Sequence, residues 1–174
     1  LIRDKGEHEK QCIEFSNAVR QLCNKNPAIK GTLFNCIIDP FARWIYDGEE
    51  LSHRIISEIF LLNITLISGQ DGVRSEFKKH VSLVHFTGAA KIIQTCNDST
   101  AQITIAEWIW RGIRLIDSPD SEIENALGIV YPVVNVPKET FRGSLHDFVV
   151  SINGEPTEAS KIIHIPFTKL TIDG

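Results

Sequence analysis

"TIAEWIWRGIRLI", residues 104–116, is the stretch on which the fold turns. Read with the two-residue period of a strand, Ile103, Ile105, Ile109, Ile113 and Leu115 form one row, and Glu107 and Arg111 fall in that same row. The opposite row is Gln102, Thr104, Ala106, Trp108, Trp110, Gly112 and Arg114. On a strand, residues 107 and 111 stand about 13 Å apart, too far to pair directly. A charge buried singly is costly. The strand reading therefore makes the row either a partly solvated pocket or a face that another chain covers.

Upstream, the pattern is helical. Cys12, Phe15, Val19 and Leu22 recur at spacings of three and four and share one helical face, which Asn24 to Pro27 closes. Leu33, Phe34, Ile37, Ile38, Phe41 and Ile45 mark a second helix, in which Pro40 predicts a break or kink near 38–39. Asp47 is the expected cap of a third, largely buried helix over about residues 50–66, ended by the segment 68–72. From residue 80 the period changes to two. Strands are expected near 80–86, 89–96, 101–116, 126–136, 144–153 and 161–172, with "CNDST" (96–100) as a hairpin turn and a bulge at Gly112. "DSPDSE" (117–122) is a polar loop, and "NGEP" (153–156) is the clearest turn signal in the chain. The expectation is one α+β domain over residues 1–174: three N-terminal helices (1–72) packed on a curved, mostly antiparallel β-sheet (80–173), with a pocket between the layers.

Helices followed by a long curved antiparallel sheet, with the hairpin "KIIQTCNDSTAQITIAEWIWRGIRL" (91–115) at its centre, is similar to the cone-shaped α+β fold of the nuclear transport factor 2-like superfamily. That resemblance implies a cone-shaped pocket. It leaves the activity open, because the superfamily holds isomerases, dehydratases and hydrolases as well as non-catalytic dimerising modules.

Composition narrows the function classes. Hydrophobic content of 43%, charged content of 23% and a net charge of −4 describe a folded soluble protein and disfavour nucleic acid or an anionic membrane as partner. "FKKH" (77–80) is the only candidate basic patch, and it reads as solvated. No apolar run is long enough for a membrane span. The reading is a soluble, intracellular protein; the triplets "NIT" (63–65) and "NDS" (97–99) are the features that would fit a secreted form, although Asn63 lies in an apolar helical pattern. Cys12, Cys23, Cys36 and Cys96 lack zinc-site or C-x-x-C spacing and read as reduced core residues. No metal and no cofactor are expected. G-x-S-x-G, a Gly-rich phosphate loop and H-E-x-x-H are all missing, and "SPDSE" (118–122) lacks the downstream element of a nuclease site.

The candidate chemistry lies in residues that interrupt apolar rows. His146, alternating with Phe148, Val150 and Ile152, and Glu107 are the candidate proton-transfer groups. Trp108, Trp110, Arg111 and Arg114 are the candidates for binding a substrate or partner, since Trp and Arg anchor interfaces. His85, His164 and Asp39, the last at the expected kink, are lesser candidates. The functional expectation is a non-catalytic interaction or structural module that self-associates through its sheet face, with itself or another protein as partner. The alternative is a cofactor-free isomerase, dehydratase or cyclase acting on a small apolar ligand.

Overall fold

Residues 104–115 are helical. They form most of α6 (Ser99–Leu115) in a computed structural model that describes residues 2–47, 51–69, 71–116 and 152–153. Ahead of it come α1 (Ile2–Lys25), a 3-10 turn (Pro27–Ile29), α2 (Lys30–Asp47), α3 (His53–Ile67), α4 (Asp71–His80) and α5 (Leu83–Thr95). Among the described residues there are six α-helices and no strand, so the α+β expectation and the likeness to the nuclear transport factor 2-like cone are both overturned. The segments expected as strands at 80–86, 89–96 and 101–116 fall mainly in α5 and α6. Those at 126–136 and 161–172 lie outside the described residues, as does 144–153 apart from Ile152 and Asn153.

The helical period explains what the strand period could not. Ala101, Ile105, Trp108, Ile109, Gly112 and Ile113 recur at spacings of three and four, and that face of α6 is buried. Glu107 and Arg111 are one helical turn apart, and Arg111 Nε donates to Glu107 Oε1 at 2.8 Å. "CNDST" is a helix start rather than a hairpin: the Asp98 side chain accepts from Ala101 N–H at 2.7 Å, as an N-cap does.

Two further corrections concern the first helices. Pro40 lies inside α2 without ending it. The face formed by Phe34, Ile38, Phe41, Ala42 and Ile45 is buried, and that packing outweighs the loss of one backbone donor. The cap of α3 is Ser52, whose Oγ accepts from Ile55 N–H at 3.3 Å, whereas Asp47 closes α2. Of the four cysteines only Cys23 and Cys96 are core residues; Cys12 and Cys36 are exposed, and all four are free thiols.

The helices pack around one aromatic centre. Trp108 of α6 is fully buried and meets one phenylalanine from each of four other helices. Ring centroids lie 5.3 Å away at Phe41 of α2 and Phe60 of α3, 6.1 Å at Phe77 of α4 and 5.2 Å at Phe86 of α5. α3 runs along α6 in the same direction, because the contacts advance together along both helices. Ser57 meets Thr104 at 3.5 Å, Phe60 meets Trp108, and Ser68 Oγ accepts from Arg111 Nη1 at 2.8 Å. α1 lies on the other side of α3, and α2 contacts α3, α4 and α5.

α5 begins with a titratable cap. His85 Nδ1 accepts from Ser82 N–H at 3.0 Å, which requires a neutral ring. Burial pushes the His85 pKa below its ordinary 6.5. The unfolded chain therefore binds the proton more readily. This part of the stability is complete above pH 6.5 and is lost as pH falls below that value towards the folded-state pKa. His85→Gln keeps an acceptor at every pH, so its stability gap between neutral and mildly acidic urea titrations should be smaller than that of wild type. Equal gaps in the two proteins would remove His85 as the source.

Candidate functional site

Helix α1 carries more apolar residues than the face it packs on α3 can bury. Ser16, Val19 and Cys23 take the buried positions, at spacings of three and four. Phe15 and Leu22, seven residues apart, are left 61% and 50% exposed. Beside Phe15 runs an apolar groove of about 300 Å³, walled by α1 and α2 and floored by α3. Cys12, Phe15 and Ser16 line one wall, and Cys36, Ile37 and Trp44 line the other. Ile55, Glu58, Ile59 and Leu62 form the floor. Pro40, also at the groove, has no N–H to return to the Cys36 carbonyl, so this wall departs from regular helical hydrogen bonding.

The single charged side chain lining the groove is held by its neighbours. Glu58 Oε2 accepts from Arg20 Nη2 at 2.8 Å and from the buried Ser16 Oγ at 3.2 Å, which also bridges α1 to the Glu58 carbonyl at 3.3 Å. The groove therefore offers a partner apolar surface and two thiols rather than a net charge. A broader hollow of about 820 Å³, lined by His8, Glu9, Leu51 and His53, adjoins it through Cys12 and Ile55. Among the described residues no group of three or more His, Cys, Asp or Glu side chains could hold a metal ion.

Among the described residues, none of the site residues read from the sequence lines this groove. Trp108 is the centre of the core. Glu107 and Arg111 form an ion pair on the surface of α6, with side chains 31% and 45% exposed, and Arg111 also holds Ser68. Trp110 is half-buried, with the Arg114 guanidinium 5.7 Å from its ring centroid, a cation–π contact on the same helix. His146 and His164 lie outside the described residues. Asp39 is not among the residues that line the groove or the hollow beside it. It pairs with Arg43 one turn on, and hydrogen bonding to that guanidinium holds its carboxyl below the usual carboxylate range. Asn63 is fully buried, its Nδ2 donating to the Ile59 carbonyl at 3.1 Å, so the "NIT" triplet is closed to a glycan in the folded chain.

The signal that could have found the groove was the surplus on α1. Cys12, Phe15, Val19, Leu22 and Cys23 are too many apolar positions for one narrow stripe. Among the described residues no helix is long and apolar enough to cross a membrane. Comparison with known proteins finds no matching family model, no matching curated sequence and no matching solved structure.

Proposed function

We propose that this chain is a non-catalytic helical interaction module that self-associates through its α1 face. The observation that carries this reading is the juxtaposition of an exposed apolar ridge, Phe15 and Leu22, with an apolar groove on the same surface. A two-fold interface must be self-complementary, and a ridge beside a groove meets that requirement: each copy's Phe15 enters the other's groove. The pairing of Glu58 with Arg20 supports the reading, because the groove takes no unpaired charge out of water when it closes. The sheet face first expected to serve this purpose is replaced by α1. Glu107, one of the two candidate proton-transfer groups, is engaged by Arg111 and lies on α6, apart from the groove.

Light scattering after size exclusion, over a range of concentrations, tests the proposal. Wild type is expected to be a dimer and Phe15→Glu a folded monomer, since a carboxylate in the apolar groove would be buried without a partner. A monomeric wild type, or a Phe15→Glu protein that still dimerises, overturns it. Dissociation by Trp110→Glu alone would move the interface to α6. A monomer whose groove binds a small apolar probe would leave a ligand as the occupant instead of a second copy.

A further inference from the structure

Gln102 of α6 is only 1% exposed, and its orientation is dictated by its surroundings. Its Nε2 donates to the Cys96 carbonyl at 2.8 Å and the Ile93 carbonyl at 3.2 Å, at the end of α5. A carbonyl cannot donate, so the nitrogen of this amide must face that way and Oε1 must face the other. Oε1 accepts from Asn153 Nδ2 at 2.7 Å, and Nε2 reaches Asn153 Oδ1 at 3.0 Å. The two amides are thus paired reciprocally, 51 residues apart in sequence. Asn153 is itself exposed, and the next residue is glycine, at the head of the "NGEP" segment.

We propose that Asn153 is a deamidation site whose reaction is held back by Gln102, and whose product can no longer pair reciprocally with Gln102. The backbone nitrogen of Gly154 attacks Cγ of Asn153, a bond forms between them, and the Cγ–Nδ2 bond breaks. Nδ2 leaves as ammonia, carrying away the proton lost by the Gly154 nitrogen, and a cyclic imide remains. Water then opens the imide to aspartate or isoaspartate. Glycine favours the attack because it has no Cβ to crowd the approaching nitrogen.

Gln102 opposes the first step by fixing both ends of the Asn153 amide, so that Cγ cannot swing freely onto the following nitrogen. Once deamidated, residue 153 has only acceptor oxygens. One of them would face Gln102 Oε1, and the Gln102 amide cannot turn over without abandoning the Ile93 and Cys96 carbonyls. The pair works in one direction: intact it slows the chemistry, and after the chemistry it cannot re-form.

The test follows residue 153 by peptide mass spectrometry during incubation in mildly alkaline buffer at physiological temperature. Gln102→Leu should acquire the mass increase of an amide-to-acid conversion about tenfold faster than wild type, the factor that one net hydrogen bond provides. Adding Gly154→Ala to that variant should abolish most of the increase. If Gln102→Leu does not fold, native wild type is compared with wild type unfolded in urea at the same pH, and the native protein should react about tenfold more slowly. Equal rates in either comparison, or conversion unaffected by Gly154→Ala, overturn the proposal.

Discussion

Trp108→Ala is expected to lower the unfolding free energy by about 3–5 kcal/mol, the range for truncating a large buried aromatic side chain. The upper half of that range is favoured by where the ring sits. Phe41, Phe60, Phe77 and Phe86 each reach Trp108 from a different helix, so no single backbone shift can collapse the space that the indole leaves. In a domain of this size the melting temperature should fall by roughly 6–20 °C. Trp110→Ala, two residues on, removes a half-buried ring and its cation–π contact with Arg114, and should cost only about 1–2 kcal/mol. Trp108→Phe should be milder than Trp108→Ala for two reasons. It keeps a ring against the four phenylalanines, and it removes an indole N–H that is buried with no hydrogen-bond acceptor among the described residues. Urea unfolding of the three variants checks the order. A Trp108→Ala protein within about 1 kcal/mol of wild type would mean that the core is not organised around this ring.

How far the fold could be read from the sequence depends on which period each segment obeys. The first 67 residues carry apolar residues at spacings of three and four with polar ones between, and helices stand there. Segment 101–116 carries apolar residues in both periods, so a strand row (Ile103, Ile105, Ile109, Ile113) and a helical face (Ala101, Ile105, Trp108, Ile109, Gly112) both read as buried. Its Ile, Thr and Trp residues tilt that tie towards a strand by local preference, and packing against α3 and α5 overrides them. Two local features could have broken the tie. Glu107 and Arg111 have the spacing of a helical ion pair, and Asp98 stands three residues before an N–H that needs a cap. The candidate groove was legible only as the apolar surplus on α1, because which residues of that surplus stay exposed depends on how α1 lies on α3. The pairing of Gln102 with Asn153 has no local trace at all.

Gly112 shows how tightly the aromatic centre is closed, and Gly112→Ala is expected to destabilise the protein by about 1–2 kcal/mol net. In an open helix the same change stabilises, by up to about 1 kcal/mol. Gly6 of α1 has nothing within 4 Å of an added Cβ, so Gly6→Ala should have that favourable sign. At Gly112 the added Cβ would lie 2.7 Å from Phe86 Cε1 and 2.9 Å from Phe77 Cζ, closer than carbon atoms pack. Neither ring has an easy retreat, because both are themselves packed at a tilt against Trp108. The penalty is therefore that of an overpacked core, about 1–3 kcal/mol, which exceeds the gain in helix propensity. Phe86→Leu removes one of the two obstructing rings, so in that background the penalty for Gly112→Ala should shrink while the Gly6→Ala gain stays unchanged. The two glycines can be compared by urea unfolding in both backgrounds. A Gly112→Ala protein as stable as wild type would mean that Phe77 and Phe86 yield to the methyl group. The glycine would then not be what lets the three rings of α4, α5 and α6 meet.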